Sequence, residues 1–306
     1  NTTGTNNVAV GFGALDANTT ANDNSAVGHN CLTKNTTGTA NTGVGRGVLS
    51  ENTTASNNTG VGYFALVNNT TGTQNTAVGS LALDANTTAD SNTAIGYSSL
   101  GANTTGANNT GLGHSSLFNN TTASNNTAIG YIALSSNTTG TQNVAVGSLA
   151  LDANTTADNN TAIGYGALSE NTTGDQNVAV GTNTLDANTT GAGNTALGRS
   201  ALGENTTADN NTAVGKLALF ANTTGIQNVA VGANALDANT TGNNNIGIGH
   251  NSMGGTTTGS SNTAIGSQSL RANTTGQANT ACGEQALLNS TTASSNTAVG
   301  KAALEA

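Results

Sequence analysis

The sequence predicts an all-β protein: a parallel β-solenoid or β-roll of eighteen 17-residue coils. Three observations predict it. Gly11, Gly28, Gly45, Gly62 and Gly79 stand 17 residues apart, the series runs unbroken to Gly300, and 17 × 18 = 306 is the whole length. A 17-residue unit is too short for helical-hairpin repeats, which need about 33 residues or more. The segment N-[TV]-A-[VI]-G within each unit alternates in the period of two that strands require.

The elements of one unit follow from its consensus, N-T-T-[GA]-x-x-N-[TV]-A-[VI]-G-x-x-[AS]-L-x-x. The segment around positions 7–10 is the first strand; Thr at position 8 in most units is itself a good strand former. Val8 and Val10 then share one face, Asn7 and Ala9 the other. Gly11 makes the turn that follows, since glycine accepts positive φ at little cost. Ala14 and Leu15 form a second short strand, and N-T-T-G is the second corner. Coils stacked about 4.8 Å apart would make a rod about 85 Å long. Like residues then meet in columns. Val10, Val27 and Val44 are expected as an apolar core ladder, with Leu15, Leu32 and Leu49 as a second. Asn7, Asn24 and Asn41 form a polar amide ladder of the cross-β kind. Gly11, Gly28 and Gly45 line the turn.

Composition agrees with a thin, repetitive array. Only 34% of residues are hydrophobic, 3% aromatic and 7% charged, with 41 Gly and no Pro or Trp. Disordered chains of similar hydrophobicity usually carry high net charge and proline, whereas here the net charge is −9 over 306 residues. The acidity excludes a basic nucleic-acid footprint. No apolar run approaches the roughly 20 residues of a membrane-spanning helix. Residues 1–306 read as one continuous array without an internal boundary. The first and last units match the consensus, so the array is expected to be uncapped and part of a longer fibre.

Position 9 is Ala or Gly in every unit. If it faces away from the Val ladder, so invariably small a residue suggests a close-packed surface against another chain, and self-association follows as a trimer or filament. The alternative is a tight corner inside the coil itself.

The unit N-T-A-V-G-x-x-A-L alternating with N-T-T-G resembles the repeats of phage tail-fibre proteins, and its N-[ST]-[AV]-[AI]-G core is similar to the head repeats of trimeric autotransporter adhesins. The resemblance covers the whole chain. It implies a fibre architecture, and the adhesin heads imply a trimeric left-handed β-roll built of coils shorter than 17 residues.

Little points to chemistry. His29, His114 and His250 all occupy position 12, five and eight units apart, so they cannot share a metal or form a catalytic pair. Cys31 and Cys282 are 251 residues apart and are expected to be buried and inert. Pairs such as Asp84 with Asp90 and Asp152 with Asp158 offer oxygen ligands for calcium, but a solvated corner is the simpler reading. Sixteen units carry N-T-T, beginning with Asn1, Asn18, Asn35 and Asn52. The pattern satisfies the glycosylation acceptor rule, and equally suits asparagine capping a turn. Tyr63, Tyr97, Tyr131 and Tyr165 are expected on the outer surface, where surface glycans or neighbouring fibres could bind.

No enzyme, cofactor or metal is expected. The expected role is a structural subunit or shaft segment of an extracellular filament, such as a cell-surface appendage, adhesin stalk or tail fibre. No Lys or Arg occurs from Gly47 to Gly198, which adds resistance to trypsin. The alternative is an ice-binding solenoid using its Thr columns. Adjacent Thr2 and Thr3 count against it, because only one of two neighbours in a strand can point outward.

Overall fold

The computed structural model describes residues 1–305. Among them the regular elements are eighteen three-residue strands and no helix. They run from β1 (Val8–Val10) and β2 (Ser25–Val27) to β9 (Val144–Val146), then from β10 (Thr161–Ile163) to β18 (Thr297–Val299). The coils group into two compact units, Asn1–Thr156 and the residues from Ala157 onward. Within each unit every strand pairs in parallel with the next, always with an offset of one coil: Val8 with Ser25 and Val10 with Val27 in the first, Thr161 with Val178 in the second. The β-solenoid of 17-residue coils stands as the sequence predicts.

One expectation about the coil is reversed. The Val10, Val27 and Val44 column does stack, but on the outside: these side chains are 57%, 39% and 40% exposed. The Ala/Gly column at position 9 is what faces inward, with Ala26, Ala77 and Ala94 fully buried. The coil is too thin for a second large residue opposite Leu. A Cβ added to Gly60 would stand 2.5 Å from Cγ1 of Val48, and one on Gly111 2.5 Å from Oγ of Ser99. Positions 9 and 14 therefore share one narrow cross-section, and where position 14 enlarges to Val48 or Ser99 the facing position 9 is glycine. Such close packing leaves no room for a methylene more. Small residues at position 9 thus reflect the coil's own interior, and the case for a partner chain no longer rests on them.

A second difference concerns Ala14 and Leu15. They form no strand. Among the described residues up to Leu304, positions 12–17 of the coils are turns and bends, and Leu15, Leu32 and Leu49 sit at φ near +51° in the left-handed region. A branched residue there costs roughly 1–2 kcal/mol. The cost is outweighed by burial of the leucine side chain, worth roughly 1.5–3 kcal/mol, because Leu32 and Leu49 are wholly inside and Leu15 nearly so. Gly11, Gly28 and Gly45 adopt φ of +127°, +141° and +134°, which only glycine takes readily.

Asparagine supplies the remaining interior. At position 7, Asn24 donates Nδ2–H to the Gly38 carbonyl one coil on (2.8 Å) and accepts the Asn41 backbone N–H on Oδ1 (2.9 Å). Asn7 and Asn41 do the same toward Ala21 and Ala55. The expected polar ladder is present, but it runs mainly from side chain to backbone.

The direct amide-to-amide ladder lies at position 1. Asn52 Nδ2–H donates to Asn35 Oδ1 at 2.8 Å, and Asn69 to Asn52 at 3.0 Å. Each also closes its own corner, as Asn52 does on the Ala55 carbonyl at 3.0 Å. The ladder breaks where Thr256 and Ser290 replace asparagine. There Asn239 Oδ1, Thr256 Oγ1, Asn273 Oδ1 and Ser290 Oγ are buried without a hydrogen-bond partner. A buried polar atom left unpaired costs about 1–3 kcal/mol. Thr256→Asn is therefore expected to stabilise the second unit by about 1–3 kcal/mol, because the new amide donates to Asn239 and accepts from Asn273. Urea unfolding followed by circular dichroism checks it; an unchanged or lowered midpoint would refute the ladder as drawn.

Candidate functional site

With positions 7, 9 and 15 inward, the sequence positions left for function are those that face out. Besides the partly exposed position 5 and the exposed position 6, they form four columns. The first is the strand face, positions 8 and 10. Thr42 and Val44, Thr93 and Ile95, and Thr127 and Ile129 each point outward from one three-residue strand. Position 10 is partly exposed along both units, and no Lys, Arg, Asp or Glu occurs at position 8 or 10 in any coil. Cys282 belongs to this face: it is exposed on β17 (Thr280–Cys282), not buried as expected, because position 10 points out. Cys31 is buried at position 14, and burial pushes its thiol up to about 11.

The second column is position 12. Rings of adjacent coils meet there: Phe12 stacks on His29 at 5.3 Å and Tyr97 on His114 at 5.2 Å, and His114 lies tilted against Tyr131 at 5.4 Å between centroids. Arg46 lies 5.8 Å from the centroids of both Tyr63 and Phe64, within cation–π range. These rings turn their faces to each other along the column, so mainly their edges are offered outward. Among the described residues no group of three or more His, Cys, Asp or Glu is placed to hold a metal ion.

The third column is the N-T-T corner. Asn18, Asn35 and Asn52 are buried, with Nδ2 engaged by the carbonyl three residues on. A glycan on any of them would have to leave from a buried Nδ2 and could not pass through the packed corner, so the acceptor reading fails there; Asn1 alone of the four is exposed. The Thr hydroxyls at position 2 are also spoken for. Thr36 Oγ1 donates to the Thr53 carbonyl and Thr104 Oγ1 to that of Thr121, both at 3.0 Å. Only the Thr at position 3 is free to solvent, so the Thr2–Thr3 corner is not a flat hydroxyl array.

The fourth column is the corner of positions 13, 16 and 17, which carries 11 of the 21 Lys, Arg, Asp and Glu residues and two hollows. Asp84, Asp186 and Asp237 at position 16 are half-buried, and desolvation raises their carboxyls above the usual range; for Asp186 the charges of Glu170 and Glu204 add to it. A groove of about 190 Å³ lies between the Lys34–Glu51 ion pair (2.6 Å) and Phe64. A larger cavity of about 400 Å³ is lined by Asp237, Asn251, Gly254, Arg271 and Asn289. Neither hollow was singled out from the sequence. The Gly254–Gly255 pair was the available sign, since no other coil has glycine at both positions 16 and 17.

Fold and columns together define a parallel β-solenoid repeat protein whose interior is an asparagine, alanine and leucine lattice. No protein-family model matches the chain, and no curated protein matches it.

Proposed function

We propose that the chain is a structural segment of an extracellular filament, on a cell surface or virion, that assembles with further copies of itself. The observation that carries this reading is the strand face. Thirty-six outward positions, two in each of eighteen coils, hold Thr, Ser, Val, Ile, Leu or Cys and not one charge. The net charge of −9 is carried elsewhere. A second copy can approach this face without desolvating an ion, a step that would cost several kcal/mol, while the charged corners keep other approaches soluble. Methyl-rich strips of this kind on soluble proteins are interaction surfaces.

Val78→Lys, Ile95→Lys and Ile129→Lys combined should test it. The parent is expected to form concentration-dependent assemblies in sedimentation velocity and filaments by electron microscopy, and the triple variant to stay monomeric with unchanged far-ultraviolet circular dichroism. A monomeric parent at high concentration, or assemblies that survive the triple lysine change, would end the proposal.

A second reading is favoured by the same face. Thr42-x-Val44 and its equivalents present hydroxyl and methyl groups in two fixed repeats, about 6.6 Å along a strand and about 4.8 Å between strands. So flat and periodic an array suits a crystalline surface, and ice is the candidate. The strand face, rather than the Thr2–Thr3 corner, would carry it. Thermal hysteresis separates the two: hysteresis by a monomeric parent, lost in the triple variant, favours ice; its absence leaves the filament.

A further inference from the structure

We propose that the notch at Gly254 is a binding site for a small zwitterion, its ammonium group held by Asp237 and its carboxylate by Arg271. The argument begins with column 16. Other glycines in that column are filled from the next coil: the Phe118 ring lies 3.0 Å from where a Cβ on Gly101 would be, and the Phe220 ring 2.8 Å from that of Gly203. At Gly254 the next residue of the column is Arg271 and no ring covers it; the Asn251 amide oxygen, from the same coil, stands where a Cβ would be. Gly255 removes the neighbouring side chain as well. The result is the cavity of about 400 Å³, within the range of roughly 300–1,000 Å³ that small-molecule sites occupy.

Its walls carry opposite charges. Asp237 and Arg271 stand one coil to either side of Gly254, with Cα atoms roughly 10 Å apart at the stacking distance of about 4.8 Å. Among the described residues the ion pairs are Lys34 with Glu51 and Lys301 with Glu284, and neither Asp237 nor Arg271 joins one. The Asp237 carboxylate leans over the gap, its Oδ1 3.2 Å from the position of a Cβ on Gly254. Asn251 and Asn289 add amide donors and acceptors, and Leu288 an apolar wall. A planar guanidinium grips a carboxylate in two parallel hydrogen bonds. A ligand with only one charge would leave the other wall's ion without a counter-charge. Amino acids, short peptides and amino-sugar acids have the required pattern. This site is independent of the strand face, so failure here leaves the filament proposal untouched.

The test is a titration of the intact chain, observed through the Gly254 and Gly255 amide resonances. Three probes are compared: glycylglycine, which carries both charges, N-acetylglycine, which carries only the anion, and glycinamide, which carries only the cation. Glycylglycine is expected to shift both resonances saturably, and each singly charged probe to bind at least tenfold more weakly. Asp237→Asn and Arg271→Gln should each lose at least tenfold for glycylglycine with circular dichroism unchanged. No saturable shift with glycylglycine, or equal binding of all three probes, would overturn the assignment, and these outcomes need no variant.

Discussion

Asn126→Asp is expected to destabilise its coil by about 4 kcal/mol or more at pH 7, a larger loss than deleting any single outward side chain would bring. Asn126 is fully buried. Its Nδ2–H donates to the Gly140 carbonyl at 2.8 Å, and its Oδ1 accepts the Asn143 backbone N–H at 2.9 Å. Aspartate has almost the same shape and keeps the second bond. It cannot keep the first: an ionised oxygen would face a carbonyl oxygen. Two penalties then add, a buried acceptor left without a donor at about 1–3 kcal/mol and a buried, unpaired charge at several kcal/mol. The pH dependence identifies the cause. A protonated carboxyl can donate to Gly140, so the folded state raises this pKa above the unfolded value of about 3.9. A group raised in the folded state leaves stability intact below its unfolded pKa and loses it as pH rises through its folded pKa. The variant should therefore approach the parent below about pH 4 and diverge above it, read from hydrogen exchange at the Asn143 amide. A loss independent of pH would mean the Asn126 hydrogen bonds are not the ones drawn.

How far the fold was legible can be judged at the same residues. Periodicity settled the register, because a repeat of 17 with no insertion allows only one way for like residues to meet. It left the sense of the strand open. Alternation puts Asn7 with Ala9 and Val8 with Val10, yet says nothing of which pair faces in. The rule that large apolar residues go inside chose Val10, and the interior proved too narrow for it beside Leu15. A better guide was present in the repeats themselves. Position 7 is Asn and position 9 Ala or Gly in every coil, while position 8 ranges over Thr, Val, Ser and Ile and position 10 over Val, Ile, Leu and Cys. On this strand the pair that varies less is the interior one; the guide does not extend along the coil, since Thr at position 3 is invariant yet exposed, and position 14 is buried while holding Ala, Cys, Val, Ser or Thr. Leu15 in a left-handed turn was not legible, since local preference opposes it and only tertiary burial enforces it. The notch at Gly254 was hidden for another reason: it depends on which side chains the coils before and after bring to one corner.

Gly232→Ala is expected to open the ladder locally and to cost about 3 kcal/mol, the upper range for a residue held in a glycine-only conformation. Gly232 has φ +131°, and an added Cβ would stand 2.6 Å from the Gly249 carbonyl oxygen and 2.7 Å from its carbon. Crowding alone does not decide such a case. Glycines at position 4 crowd the next coil just as closely, yet Ala21, Ala55 and Ala89 already occupy that position, whose φ is ordinary. The control is therefore Gly242→Ala at position 4. Its neighbours in the column, Gly225 and Gly259, leave room for the small shift that the alternating Gly and Ala of the first unit already make. The control is expected to change stability by less than about 1 kcal/mol. Because each coil of a solenoid touches only its neighbours, the damage from Gly232→Ala should be confined. Amide exchange should quicken at Gly249, whose N–H donates to the Val231 carbonyl at 2.8 Å, and stay at parental rates several coils away. Equal effects from the two substitutions would place the cost in crowding rather than in backbone conformation. The invariance of glycine at position 11 would then need another cause.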